Sequence, residues 1–430
     1  MEDKIFPDNP LEIIKLLKSQ GLLDERNKAM CLDLASDPGN KKLQEEYMKV
    51  LAPEIILRQL TGSPFSIPDE SVNGLIKFAE TEQGKPVGIN PEECHVLIAG
   101  QTGSGKSTLL RIIFSQALLL GKYETGNSKE EIVCWLLVKA HDMRKLLNTT
   151  RDILVVTFDK VRLNPLEPPP GLKATEWASI FADLWIQAFR LYEGSKGFLM
   201  ECLNALYLKY YSLGYFPSLY DLYYYVKSLK FPAISRNSRY QESILNRLAG
   251  LLHSNLAPVF DCSRGHINNL IKTHAIFEIL YLTTEQQVFM VNYLLSYLFN
   301  YKMIHETNSR HFVGIDDANL IFDLSYEKRP DLGLPVIHQL LTTVRKNKIN
   351  IFACTQTPHQ LGASIHSNAF CKIMFSLSHG RDIECMQRSM GIRDEDQKAY
   401  CFKIEPRKIV VKFSARYQEP FAAVVPETEE

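Results

Sequence analysis

The stretch HVLIAGQTGSGKSTLLRI, residues 95–112, holds the residue types and spacing with the plainest chemical meaning in the chain. Gly100, Gly105, Lys106 and Ser107 fit the pattern GxxxxGK[ST], set between an apolar run and a helical one. Glycines at such positions let the backbone curl until successive N–H groups converge on one anion. The N-terminus of the following helix adds partial positive charge. Residues Gly100, Gln101, Thr102, Gly103, Ser104, Gly105, Lys106, Ser107 and Thr108 therefore read as the cradle of a nucleoside triphosphate. Lys106 is placed to reach the β- and γ-phosphates, and the Ser107 hydroxyl to ligate magnesium.

Breaking that triphosphate needs a second metal-holding carboxylate and a group that activates water. HFVGIDDANLIFD (311–323) offers an apolar strand that ends in Asp316–Asp317. Asp316 suits magnesium, as a Walker B aspartate does, and Asp317 suits the general base. An acidic pair at a strand end is also ordinary turn chemistry. RKNKINIFACTQTP (345–358) ends a third apolar run at Thr355–Gln356. A polar tip there lies at the carboxyl edge, where ligands of open α/β sheets bind, so Gln356 is a candidate γ-phosphate sensor. Arg345 closes the helical run LPVIHQLLTTVR. It reads either as a cation favoured at a helix C-terminus or as a finger reaching a neighbouring subunit's nucleotide.

The elements that must position these groups alternate strand with helix from residue 94 onward. Strands are predicted at 95–100, 131–138, 152–158, 274–282, 311–316, 349–356 and 371–377. Several are continuous Val/Ile/Leu/Phe runs, as expected of parallel strands buried on both faces. Residues 172–258 show helical periodicity rich in tyrosine and read as a helical insertion. Their aromatics suit core packing first and base stacking second. Residues 1–88 read as helical, from patterns such as NPLEIIKLLKSQGLL, and carry no catalytic signature. TEQGKPVGINP (81–91) supplies turn residues and a boundary. The expected division is a helical docking or assembly region, 1–88, and an ATPase domain, 89–430.

Lysine plus arginine and aspartate plus glutamate stand at 49 each, so any polyanion must be met by local patches rather than by the overall field. Nine cysteines are scattered singly with no CxxC pair and no zinc spacing, which reads as reduced, mostly buried thiols of a cytoplasmic protein. The N-terminal MEDKIFPDNP has no signal-peptide apolar stretch. VFMVNYLLSYLFNY (288–301) is too short and interrupted to span a bilayer, so no membrane segment is expected.

Taken together, the chain resembles the HerA/FtsK superfamily of P-loop motors, which includes the type IV secretion coupling proteins, over residues 86–425. HVLIAGQTGSGKST is similar to that group's Walker A with its leading histidine. VRLNPLEPP (161–169) is similar to the segment after its third strand. TQTP resembles its Thr-Gln sensor, and KIVVKFSARYQEPFAAVVP its closing strands. Arg345 stands eleven residues before Gln356, the separation at which coupling proteins carry an arginine finger. The resemblance implies a RecA-like α/β sheet with an additional strand between those bearing Walker A and Walker B. It further implies ATP and Mg2+ at the interfaces of a homo-hexameric ring, with double-stranded DNA in the channel. Three departures stand out: Asp317 replaces the usual glutamate, Lys348 replaces a glycine often found three residues after the finger, and residues 1–88 replace the superfamily's membrane helices or barrel.

The function expected is therefore an ATP-hydrolysing motor that translocates or pumps duplex DNA, using basic segments such as SRNSRYQ (235–241), read as a loop. The alternative is a nucleotide-gated assembly module that recruits an effector such as a nuclease through residues 1–88.

Overall fold

In the computed structural model, residues 17, 25–37, 40, 42–43, 45–47, 49–51, 63–66, 68–93, 95–125, 128–327, 341 and 347–427 are described. The chain divides into two compact units, one of residues 1–90, 97–112 and 369–430, the other of residues 91–96 and 113–368.

Unit one holds helix α1 (Glu25–Ser36) and strands β1 (Ile76–Thr81) and β2 (Pro86–Ile89). It also holds most of β3 (Val96–Ala99), with β10 (Cys371–Met374), β11 (Lys408–Phe413) and β12 (Phe421–Val424). Their order is β2-β1-β12-β11-β10-β3. The expectation of helix up to residue 88 gives way here. IKFAET exposes only Lys77 and Glu80 and pairs antiparallel with β2, through a register shift between Lys77 and Ala79, and with β12. TEQGKPV is thus the turn of a β-hairpin, closed by Gly84 N–H to Thr81 O at 2.8 Å, and the first unit gives way to the second at Asn90 and Pro91, the end of TEQGKPVGINP. The closing strands match their expected place, β10, β11 and β12 running antiparallel in succession. The NPLEIIKLLKSQGLL helix reading falls on residues that, Leu17 excepted, lie outside those described.

Unit two carries β4 (Lys122–Thr125), β5 (Ser128–Val138), β6 (Ile153–Val156), β7 (His274–Glu278), β8 (Ser309–Ile315) and β9 (Ile349–Thr355). Their order is β9-β8-β5-β7-β6, with β4 pairing β5. All pairs but β4–β5 are parallel. The continuous apolar runs read from the sequence at 131–138, 152–158, 274–282, 311–316 and 349–356 fall on these strands, β4 excepted; β9 is buried at every residue and β8 at all but its first. Beside β8 lies β9, the additional strand of the expected fold.

The insertion is helical, comprising α3 (Ala174–Ala188), α4 (Glu193–Tyr211), α5 (Leu219–Ser228) and α6 (Arg236–Leu252). SRNSRYQ is the start of α6, not a loop. Ser235 caps it by accepting from Ser238 N at 3.1 Å, and Arg236 and Arg239 are exposed on its first turn. Helix α7 (Thr284–Ile304) begins with a capping box from Thr283 and Gln286 and contains the greasy stretch 288–301. Trp177 and Trp185 of α3 meet Tyr297 and Phe289 of α7 edge-on in the core. The segment VRLNPLEPP clasps the insertion: buried Asn164 donates to Pro217 O and Ser263 O, and Trp177 Nε1 donates to Pro165 O. Tyr207 is likewise a core residue, donating to Leu166 O, while Tyr211 and Tyr224 are exposed. Among the described residues no helix is long and apolar enough to cross a membrane. The eight described cysteines are free thiols, six of them buried.

Candidate nucleotide site

In unit one, fully buried β3 leads into the glycine-rich turn and then α2 (Lys106–Leu120), the strand–turn–helix order expected. Gly103 and Gly105 have φ of +76° and +108°, left-handed values that side chains rarely adopt. At Gly100 a Cβ would stand 2.5 Å from Ser104 Oγ and 2.7 Å from Phe375 Cβ, so glycine is required for close approach. Strand β10 splints the turn, with Phe375 N–H donating to Ala99 O and Gln101 N–H to Ser376 O, both at 2.8 Å. Lys106 is nearly buried and curls back, its Nζ donating to Gly100 O at 2.6 Å and Gln101 O at 2.8 Å. Its ammonium thus sits over the loop that Gln101, Thr102 and Gly103 expose. Ser107 and Thr108 lie half-buried in the first turn of α2, which has no acidic residue to oppose an anion.

In unit two, β8 delivers Asp316 and Asp317 at the carboxyl edge. Asp316 continues the ladder, its N–H donating to Leu137 O at 3.1 Å, and its side chain is half-buried. Asp317 Oδ2 lies 2.6 Å from Lys139 Nζ, just beyond the end of β5, and its Oδ1 accepts from Asn319 N–H at 3.3 Å. On β9, the buried Thr355 hydroxyl donates to Asn319 Oδ1 at 2.7 Å, and Asn319 Nδ2 donates to Thr357 Oγ1 at 3.1 Å. Ala318 N–H reaches Cys354 O at 2.7 Å. The structure therefore brings Asp316, Asp317 and the Thr355–Gln356 tip onto adjacent strand ends, bolted together through Asn319. Gln356 is exposed at that tip. Arg345 lies outside the described residues.

Lys139 and Asn319 escaped the sequence reading. Their signals were thin: a lysine just past the LLV run of β5, and an asparagine in DDAN. Further along the same edge, buried Glu278 ends β7. Arg144 grips its carboxylate with two hydrogen bonds, one of 2.7 Å from Nη2 to Oε2, and His141 Nδ1 lies 3.1 Å from Oε1. The Arg144 hydrogen bond, opposed by burial and aided by His141, holds the Glu278 carboxyl below its ordinary pKa.

At the opposite edge, Lys348 takes the left-handed φ of +54° that a glycine would take without strain. Its Nζ lies 2.9 Å from Glu130 Oε1. Glu130 is buried and also receives Arg310 Nε at 3.0 Å and the Tyr123 hydroxyl. The glycine replacement thus keeps the turn and adds an ion pair. His95, which leads the Walker A match, is buried at φ +61° and accepts from Ile351 N–H at 3.2 Å.

Oxygen donors of the Ser107 and Asp316 type fit magnesium, which binds through one or two side chains together with phosphate oxygens and water. Among the described residues no three His, Cys, Asp or Glu side chains gather as a self-sufficient metal cage.

No family model matches the sequence, and no curated protein matches it. Solved structures match it in fold. The bacterial conjugative coupling protein TrwBdeltaN70, unbound, superposes with a TM-score of 0.61 at 14% identity, over 86% of this chain and 96% of that one. VirB4 of Thermoanaerobacter pseudethanolicus gives 0.60 at 12% identity, over 84% and 98%. The plasmid coupling protein TrwB in complex with ADP and Mg2+ gives 0.59 at 13% identity, over 82% and 90%. The chain therefore has the RecA-like α/β fold of these proteins, as its motifs led us to expect.

Proposed function

We propose that the chain is a cytoplasmic ATPase that assembles as a homo-hexameric ring and translocates or pumps double-stranded DNA. The observation that carries this reading is the glycine-built loop with the Lys106 ammonium over it, in a fold whose solved relatives include a complex with ADP and Mg2+. When bound, Mg·ATP supplies the phosphoanhydride bond and the cation that offsets its charge. Lys106 steadies the β- and γ-phosphates, and Ser107 and Asp316 hold the metal. Asp317 takes a proton from the attacking water at a carboxylate oxygen. Gln356 senses the γ-phosphate, and Arg345 of a neighbouring protomer steadies the transferring charge. The Asn319 clamp gives Gln356 a rigid base, which favours a sensor over a loose tip. Motion follows only if the ATP and ADP states hold DNA differently. Residues 1–88 serve as the docking or assembly region.

The test is the ATPase rate with and without duplex DNA, on protein whose oligomeric state is measured in the same buffer. Turnover that rises with duplex in a ring-sized particle supports the reading; a monomer indifferent to duplex refutes it. A second reading, the nucleotide-gated assembly module, is favoured by the even charge balance of 49 against 49. It requires oligomerisation on ATP and a rate that duplex does not change.

A further inference from the structure

We propose that Lys139 restrains hydrolysis by holding Asp317 away from its water, and that a phosphate of the DNA backbone releases it by drawing the ammonium off. This rests on the reading of Asp317 as general base. Lys139 Nζ lies 2.6 Å from Asp317 Oδ2, while Oδ1 accepts from Asn319 N–H, so both carboxylate oxygens are engaged. A carboxylate oxygen already bonded to an ammonium is held turned toward it and is not free to swing onto the attacking water. The direction of the pull matters as well. In unit two β5 flanks β8 on one side and β9 on the other, and Lys139 follows β5. The pair therefore draws Asp317 toward β5, whereas Gln356 stands at the tip of β9. An aspartate, one methylene shorter than glutamate, has little length with which to serve both sides.

The restraint is built to be released. Lys139 and Asp317 keep 32% and 36% of their side-chain surface exposed, so an anion from solvent can reach the ammonium. The strength is that of an exposed ion pair, not a buried one. Lys139 also opens the run KAHDMRK, in which Lys145 is exposed, Asp142 is the one acid, and Arg144 and His141 are turned to the Glu278 carboxylate. A chain of phosphates meets such a run better than a single carboxylate does, and its binding weakens with salt.

The test is steady-state ATPase of the full chain and of Lys139→Met, with and without duplex DNA at fixed salt. Melting temperature reports folding, and Lys139→Gln carries the same test should the methionine variant not fold. Without DNA, kcat of Lys139→Met is expected to rise about fivefold, the factor matching an exposed pair of about 1 kcal/mol. The KM for ATP should move less than twofold, and the DNA stimulation ratio should fall toward one. Lys139→Arg, which keeps the charge, should retain a larger stimulation ratio than Lys139→Met. A folded Lys139→Met whose DNA-free kcat equals or falls below that of the parent overturns the restraint. If the parent ignores duplex while Lys139→Met is still faster, the restraint stands, and DNA as its release falls together with the motor reading. If ATP binds but neither protein turns it over, the hydrolytic reading and this proposal fall together.

Discussion

At Lys348 two local effects oppose each other, and their sizes decide the outcome of replacing it. Its φ of +54° crowds a Cβ against the following carbonyl, at a cost of about 1–2 kcal/mol that glycine does not bear. Its ammonium, 2.9 Å from the buried Glu130, makes a hydrogen bond to a charged group, worth about 1.5–3 kcal/mol. With the Lys348 side chain 29% exposed, solvent screening favours the lower end of that range. Lys348→Ala keeps the strained backbone and loses the ion pair, so it should destabilise by about 2 kcal/mol. Lys348→Gly loses the same pair and relieves the strain, but it loosens the unfolded chain by about 0.5–1 kcal/mol. It should therefore destabilise by only about 1–1.5 kcal/mol and be the more stable of the two variants. Urea midpoints near neutral pH, at equal slope, measure both differences. A glycine variant more stable than the parent by about 0.5–1 kcal/mol would show that the ion pair carries no weight. An alanine variant more stable than the glycine variant would show that the backbone there is not left-handed.

Three further outcomes are expected. Gly100→Ala places a methyl 2.7 Å from Phe375 Cβ, and such overpacking costs about 1–3 kcal/mol, so ATP-analogue affinity by equilibrium titration should fall about tenfold or more; unchanged affinity would remove the loop from the site. Lys106→Ala should lose triphosphate binding, and Arg345→Ala should keep binding but stop turnover. Mixing the two variants should restore part of the ATPase rate, and no recovery at any ratio would count against an arginine working across protomers. Burial, together with Lys348 and Arg310, depresses Lys302 to about 7 from an ordinary 10.5. Between those values the unfolded chain binds more protons, so the penalty of burying this lysine is complete below about 7 and fades as pH rises toward 10.5. Lys302→Met should stabilise the protein most at the acid end of that window, with the gain shrinking toward the alkaline end in denaturant melts.

What the sequence determined by itself is what short-range chemistry determines. The glycine-rich turn lies within nine consecutive residues, Gly100 to Thr108, and its backbone demands are written as glycines, so its place between strand and helix was legible unaided. Strands β3, β5, β8 and β9 were legible because burial on both faces forces continuous apolar runs, and the polar residues that end β8 and β9 marked their carboxyl edges. Local pattern failed where a segment's state depends on distant partners. IKFAET is half-polar and short, and it becomes strand because β2 across the hairpin and β12, more than 300 residues away, pair with it on its two sides. SRNSRYQ is polar enough for a loop and is helical because Ser235 caps it and Ile244 and Leu248 behind it are buried. Only the tertiary structure could pair Lys139 with Asp317, 178 residues apart, or bolt Thr355 to Asn319, or seat Lys348 on Glu130. A charge in a sequence has a sign but no neighbour. The parallel sheet, by setting the ends of β5, β8 and β9 side by side, gives each of these groups the partner that fixes its chemistry.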